Sequence, residues 1–444
     1  MVNGHCEAEP RLPRGLTIAL LVLAALARIA AVWHWSGNLD DDRDVYRALA
    51  LGVVEGRGYS SPGTTIPTAY RPPLYPLLLA ATGGTQSTFA VAIVNVLLGT
   101  ATVGMVLLIG RRLSLGSRAT LLAGLLTAID PLLLYYTSFP MTETLCTCLL
   151  TAWLWALLRM QTAVGRSQLL WAAAAGLLLG LTALCRPTVW ACAVLLLAAW
   201  LLFQRTGRTS LAVSQSSEST TAPIRPSAIV LLVIAALLTV APWAIRNWQV
   251  FGRPIVTTTH GGYTLLLGNN QAYYDEVVKQ SLGVIWDGSH GPGQGAWAAN
   301  LLKQTRDAGL SGELERDRWM SGQARRTIRT QPTTFLRACL RRFLHFWSIV
   351  PNVRSDASLP QFAVLAVGAY YGILFTTLAC GFACIITGRV SRTRWIAPLL
   401  LVAGFAGVHL VYWSDARMRA PITPEIALVA TCCIRRQHSS PDKP

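Results

Sequence analysis

Ten stretches of this chain are apolar and long enough to be read as bilayer crossings, and that leaves few folds open. They cover 15–35, 87–109, 118–136, 140–158, 169–184, 189–203, 228–245, 361–387, 395–413 and 420–434. A helix needs about 20 mostly apolar residues to cross the hydrocarbon layer. Within lipid the backbone must satisfy its own polar groups, so only helices and closed barrels can span it. These runs are continuous rather than alternating, which excludes a barrel. Charged residues make up only 13% of the 444, against about 25% in an ordinary soluble domain. The fold expected is therefore an all-α, multi-pass membrane protein of about ten spans. The first run is too long for the core of a signal peptide and reads as a retained anchor.

Arginines orient the bundle. Arg11 and Arg14 precede the first run, and every short loop assigned to the inner side carries two or more arginines. Positive loops face the cytoplasm, so both termini are expected there, in a cell (inner or plasma) membrane. The net charge of +17 follows from this topology and needs no nucleic-acid partner; contact with membrane lipids suffices. Arg28 sits inside the first run and is read as snorkelling to the interface, with a cation beneath the following acidic loop as the other reading. Eight of the ten cysteines lie in or beside apolar runs and act as small hydrophobes, without the spacing of a disulfide framework or zinc site.

Four regions follow. Residues 1–245 form an N-terminal membrane module whose first outer loop, 36–85, carries two apolar pieces (48–52 and 74–81) too short to span; these suggest surface helices. Asp130-Pro131 should kink or stop the third span. A Ser/Thr-rich stretch, 210–226, reads as a cytoplasmic linker. Residues 246–360 form an outer segment without a span; 257–259 and 263–267 suggest strands. The stretch 314–347 suggests a helix broken at Pro332, with interleaved arginines and aromatics suited to a membrane surface. Residues 361–434 return to the membrane, and 435–444 are a polar cytoplasmic tail.

The unusual polar residues gather at the outer ends: Asp40, Asp41, Asp42, Asp44, Arg71, Asp130, Glu143, Arg186, Arg246, His260, Asp415, Arg417 and Arg419. Acids and arginines converging on one face of a bundle suit an anionic ligand together with a base. A sugar carried on a lipid phosphate fits that set. Its leaving group is already a stable anion and needs cations, which arginine supplies in a fork matched to phosphate. The acceptor hydroxyl needs a base, which an aspartate provides. A carboxylate could instead hold a divalent cation that steadies the phosphate. Simpler roles compete for each residue. Some of the aspartates should only cap a surface helix, Glu143 could cap the start of a span, Arg71 and Arg186 could be headgroup anchors, and His260 could be a packed loop histidine. A transporter or flippase of an anionic lipid would also use outer arginines. However, it would place charge near the midplane and often show internal repeats, and neither is seen here. A non-catalytic assembly subunit would not need this convergence.

The order of motifs resembles the GT-C glycosyltransferases, in the branch of bacterial protein O-mannosyltransferase-like and aminoarabinose-transferase-like enzymes. The matching pieces are Asp42-Arg43-Asp44-Val45-Tyr46-Arg47-Ala48-Leu49-Ala50, Glu55-Gly56-Arg57-Gly58-Tyr59, Arg71-Pro72-Pro73-Leu74-Tyr75-Pro76 and Met141-Thr142-Glu143-Thr144-Leu145. They continue with 180–187, Pro242-Trp243-Ala244-Ile245-Arg246-Asn247, Phe251-Gly252, Gly261-Gly262 and Arg417-Met418-Arg419-Ala420-Pro421. The likeness spans roughly 16–430. It implies a GT-C-type bundle that takes a sugar from a polyprenyl-phosphate donor to a lipid, glycan or protein acceptor on the extracytoplasmic side, with inversion. The family's catalytic aspartate falls on Asp42, with Asp41 the second choice, and its second acid on Glu143. Arg71, Arg246, Arg419 and Arg186 are the candidates for the donor phosphate. Asp44, Tyr46, His260 and Arg417 complete the set as substrate or metal contacts; which metal, if any, is left open. Residues 246–360 lack an obvious repeat domain, so the acceptor stays open as well.

Overall fold

The computed structural model describes residues 12–205, 224–350 and 360–434. Arg11, nearly all of the 210–226 linker and the 435–444 tail fall outside the described residues. In chain order the helices are α1 (Arg14–His34), α2 (Tyr46–Val54), α3 (Leu74–Thr82), α4 (Thr88–Arg112), α5 (Ser117–Ala128), α6 (Pro131–Thr137), α7 (Thr142–Thr162), α8 (Gly165–Cys185) and α9 (Val189–Arg205). Then come α10 (Pro226–Phe251), α11 (Gly261–Gly268), the single turn α12 (Gln271–Tyr273), α13 (Gly293–Asp307), α14 (Glu313–Thr330), α15 (Pro332–Phe346), α16 (Gln361–Ile386), α17 (Arg392–Val411) and α18 (Thr423–Thr431). Among the described residues the only β-type pairing is one isolated bridge, Ser60 with Pro67. The protein is an all-α membrane bundle.

Each of the ten apolar runs contains a helix. Six (α1, α4, α8, α10, α16 and α17) are long and apolar enough to cross a membrane by themselves, and α5 with α6 makes a seventh, bent by 45°. The bend falls at Asp130-Pro131, where proline at the first helical position stops continuation from α5 and the Asp130 carboxylate accepts from the Leu133 amide at 2.9 Å. The other three depart from the apolar spans of the sequence reading for physical reasons. Helix α7 carries Thr142, Glu143, Thr144, Thr147 and Thr151 on buried positions, because it faces protein rather than lipid. Helix α9 is short. Helix α18 has nine residues, all buried, and packs among α16, α17 and α5.

Small residues set a close contact between α8 and α10. Gly176 and Gly180 of α8 lie against α10, where a Cβ at Gly176 would collide with the Leu232 carbonyl and one at Gly180 with Thr239. This four-residue spacing of small side chains is how membrane helices bring their backbones together.

Three local expectations change. Residues 257–259 form no strand. Residues 261–268 form helix α11 rather than a strand: Gly262 seats it against the Asp317 carbonyl of α14, and Leu265 and Leu266 pack with Leu301 and Met320. Arg28 does not snorkel. Gly99 leaves room for its side chain, which turns inward and donates to the carbonyls of Ala24, Ala128 and Thr127. The surface helices of the first loop are present as α2 and α3, and the break at Pro332 separates α14 from α15.

Candidate functional site

The site begins in the turn between α1 and α2. Val45 has φ of 57°, left-handed for a β-branched residue, which costs on the order of 1–3 kcal/mol. This kink separates the aspartates beside it. Asp42 folds back over the start of α2 and accepts from the backbone amides of Arg47 (3.1 Å) and Ala48 (2.9 Å). Asp44 points the other way, into a set of guanidiniums. Arg47 fixes the turn by donating to the carbonyls of Leu39, Gly84 and Thr85. Asp41 pairs with Arg43 at 2.5 Å near the surface, and Asp40 is exposed.

Three arginines from distant parts of the chain meet Asp44 and Glu143. Arg71, in the loop before α3, donates to Asp44 Oδ1 at 2.8 Å. Arg417, in the 3-10 turn Ala416–Ile422, donates from Nη2 to Asp44 Oδ2 at 2.6 Å and from Nε to Glu143 Oε1. Arg186, which caps the end of α8, donates to Glu143 Oε1 at 2.6 Å and to the Thr142 hydroxyl at 2.9 Å. Glu143 lies in the first turn of α7 and is fully buried. Arg417 thus bridges both acids. The cage holds three cations against two carboxylates, and its arginine side chains keep 11–20% exposure. Burial works against ionisation of Asp44, but Arg417 and Arg71 outweigh it and hold the carboxyl below its ordinary value. These ion pairs therefore persist from neutral pH down through the usual carboxylate range, and are lost only as the pH falls through that lowered value.

Aromatic rings wall the cage. Arg71 lies over Tyr46 and Tyr70, at 5.6 and 5.3 Å from the ring centres, and Tyr46 meets Tyr75 edge-on. Arg417 lies over Tyr136. His260 stacks on Tyr263, and its Nε2 sits 3.3 Å from Arg71 Nη1. A guanidinium only donates, so Nε2 accepts and the proton must sit on Nδ1. Burial and then the Arg71 charge push the His260 pKa well below its usual value, so the ring is a neutral Nδ1–H donor.

Several buried polar atoms here have no partner among the described residues: Arg71 Nε, Glu143 Oε2, His260 Nδ1, Ser414 Oγ and Asp415 Oδ1. Burial also raises the Asp415 carboxyl above its usual value. Unmet hydrogen-bonding capacity of this kind is costly in a closed core and is often found where a polar ligand binds. Among the described residues no three His, Cys, Asp or Glu side chains converge to hold a metal ion.

Not every candidate residue joins the cage. Arg246 donates to the carbonyls of Thr68 (2.9 Å) and Tyr59 (2.6 Å). It braces the loop leading to Arg71. Arg419 is buried and donates to the Phe346 and Ser348 carbonyls beneath Tyr371 and Phe375. Two contributors were not among the candidate residues. Glu313 binds the Thr68 hydroxyl (2.7 Å), the Ala69 amide (2.9 Å) and Thr259, and so helps to hold the Arg71 loop. Thr142 orients Arg186.

Known proteins can now be set beside this geometry. No curated protein matches the chain by sequence. Among solved structures, the archaeal oligosaccharyltransferase AglB from Archaeoglobus fulgidus, in complex with an inhibitory peptide and a dolichol-phosphate, is similar over 93% of this chain and 50% of its own, at 16% identity and TM-score 0.46. ArnT from Cupriavidus metallidurans bound to undecaprenyl phosphate is similar over 95% of this chain and 78% of its own, at 13% identity and TM-score 0.45. The chain spans half the length of the archaeal protein. Residues 70–248, less than half of the chain, match the family model described as dolichyl-phosphate-mannose-protein mannosyltransferase. That matched stretch contains Arg71, Glu143 and Arg186, so three of the five cage residues lie in the part of the chain that is similar to that family.

Proposed function

We propose that the protein moves a sugar from a polyprenyl-phosphate donor to a hydroxyl-bearing acceptor on the extracytoplasmic side, with inversion at the anomeric carbon. The observation that carries this reading is the cage itself: Arg71, Arg186 and Arg417 around Asp44 and Glu143, with one more cation than acid. The donor phosphate would take up the guanidinium N–H groups that the two acids only partly use, and forked charge-assisted bonds would stabilise it as it leaves. Asp44 and Glu143 then act as counter-ions that hold the arginines in place. Asp42 is the base. It is the acid of this turn that has no ion pair, and two backbone amides fix its direction while leaving lone pairs free. The acceptor oxygen attacks the anomeric carbon, its proton passes to Asp42, and the sugar–phosphate C–O bond breaks to release polyprenyl phosphate. The neutral Nδ1–H of His260 donates to the sugar or its phosphate. The chain divides, on this reading, into a membrane module to residue 245 with the site in its first loop, an outer segment to 360, and membrane helices to 434.

The test is a transfer assay with purified protein, a panel of polyprenyl-phosphate hexoses and pentoses, and wild type beside Asp42→Asn. Asparagine caps a helix about as well as aspartate but cannot take a proton, so the substitution separates the two roles. The expected result is an unchanged melting temperature with turnover reduced by about 100-fold or more. An Asp42→Asn enzyme with full turnover would leave Asp42 as a cap alone, and a wild type inert towards every lipid-phosphate sugar would remove the reading.

A further inference from the structure

From 318 to 350 the sequence contains seven arginines and no acid. Apart from Arg318, which is exposed near the start of α14, the structure sorts them into two groups. Arg341 and Arg342 point inward and are buried, donating to the carbonyls of Gln280, Ser281, Gly268 and Leu410. Arg325, Arg326 and Arg329 of α14 and Arg337 of α15 are exposed, and none of these four has a carboxylate partner among the described residues.

Helix α15 has two contrasting faces. Ala338, Arg341, Arg342 and Phe346 are buried on one side. On the other, Leu336 (65% exposed), Leu340 (59%), Phe343 (44%) and Leu344 (41%) form a stripe at helical spacing, with Arg337 along its edge. The end of the helix adjoins a candidate membrane span. Trp347, just past the helix, packs edge-on at 5.4 Å against Phe375 of α16, a span that itself exposes Phe362, Leu365 and Ile373.

We infer that α15 and the end of α14 form a binding surface for anionic phospholipid in the leaflet next to the site. The apolar stripe would lie among the acyl chains, and the four unpaired arginines would hold phosphate headgroups. Chemistry selects this occupant: a large apolar stripe takes up hydrocarbon, and a basic flank without acids favours a negative headgroup over a zwitterionic one. The consequence reaches the cage. The Phe346 and Ser348 carbonyls at the end of α15 hold Arg419, two residues from Arg417. Seating α15 in lipid therefore fixes the turn that carries the bridging arginine. Only this last link rests on the function proposed above; lipid binding itself is read without turnover.

The experiment takes full-length protein from bilayers of mixed phosphatidylglycerol and phosphatidylcholine and counts retained lipids by native mass spectrometry. Wild type should keep phosphatidylglycerol over phosphatidylcholine by about tenfold or more. The combined Arg325→Gln, Arg326→Gln, Arg329→Gln and Arg337→Gln variant should bring that ratio close to one. If that variant does not fold, Arg337→Gln alone should lower the ratio by about threefold. Hydrogen exchange over 332–346 gives a second reading: slower in phosphatidylglycerol bilayers than in phosphatidylcholine for wild type, and alike in both for Leu340→Glu. Equal retention of the two lipids by wild type, a ratio unmoved by the arginine changes, or a polypeptide found covering α15 in place of lipid would overturn the inference.

Discussion

Asp42 and Asp44 lie two residues apart and serve different ends because Val45 turns the chain between them. One is fixed by amides and the other by guanidiniums, so their substitutions should separate in kinetics. Asp44→Asn loosens Arg71 and Arg417 and should raise the donor KM by about tenfold or more while kcat falls less, as expected when a binding group rather than the reacting base is disturbed. Equal loss in kcat and unchanged KM would contradict this. His260 gives a second contrast. Its Nε2 accepts from Arg71 and its Nδ1–H has no partner. Asparagine places its amide near Nδ1, whereas glutamine reaches the position of Nε2. On this account His260→Asn keeps more of the kcat/KM than His260→Gln, by about five- to tenfold, the worth of one hydrogen bond to a charged or developing charge. The reverse order would show that holding Arg71 is what the histidine does. The cage residues were legible in the sequence because charge next to apolar runs is conspicuous. Their pairing was not. Arg417 meets Asp44 across 373 positions and Glu143 across 274, and no local pattern encodes such partners. Arg246 and Arg419 look the same in the sequence as Arg71 and Arg417, yet nearby carbonyls take them up instead.

At the level of elements, two joints hold the site. The first is the α8–α10 contact, made close by Gly176 and Gly180. Helix α8 ends at Arg186 and α10 ends just past Arg246, which braces the Arg71 loop, so pushing these helices apart should disturb both arms of the cage. Gly180→Leu is expected to lower the melting temperature by several degrees, in line with an overpacking cost of about 1–3 kcal/mol, and to reduce donor binding. A variant with wild-type melting and binding would show that the close approach is incidental. The second joint is the turn Ala416–Ile422 between α17 and the buried α18. Apolar run length located α18 as a span, although the helix is only nine residues long. Run length measures hydrophobicity, and a segment enclosed by protein is as apolar as one facing lipid. Helix α7 was also read as a span, and its inward threonines and Glu143 leave it too polar to pass as a crossing on length and composition alone. The strand expected at 263–267 became α11 because three successive leucines fit a buried helix as well as a strand, and only packing against α14 decides between them.

At the scale of the molecule, the first loop, the starts of α7 and α11, the end of α8 and the last turn before α18 all deliver polar groups to one end of the bundle. Two carboxylates neutralise most of the charge of three arginines, and on the proposed function an anionic phosphate would complete the balance. Breaking a buried pair by removing one partner typically costs about 3–5 kcal/mol, so a substitution of one cage residue should lower stability as well. The most direct test of the central claim is the affinity of purified protein for a polyprenyl phosphate without sugar, measured on wild type and on Arg417→Gln after both are shown to be folded. The account predicts saturable binding by wild type, weakened by about 30-fold or more when the bridging guanidinium is lost. Equal affinity in the two proteins would contradict it.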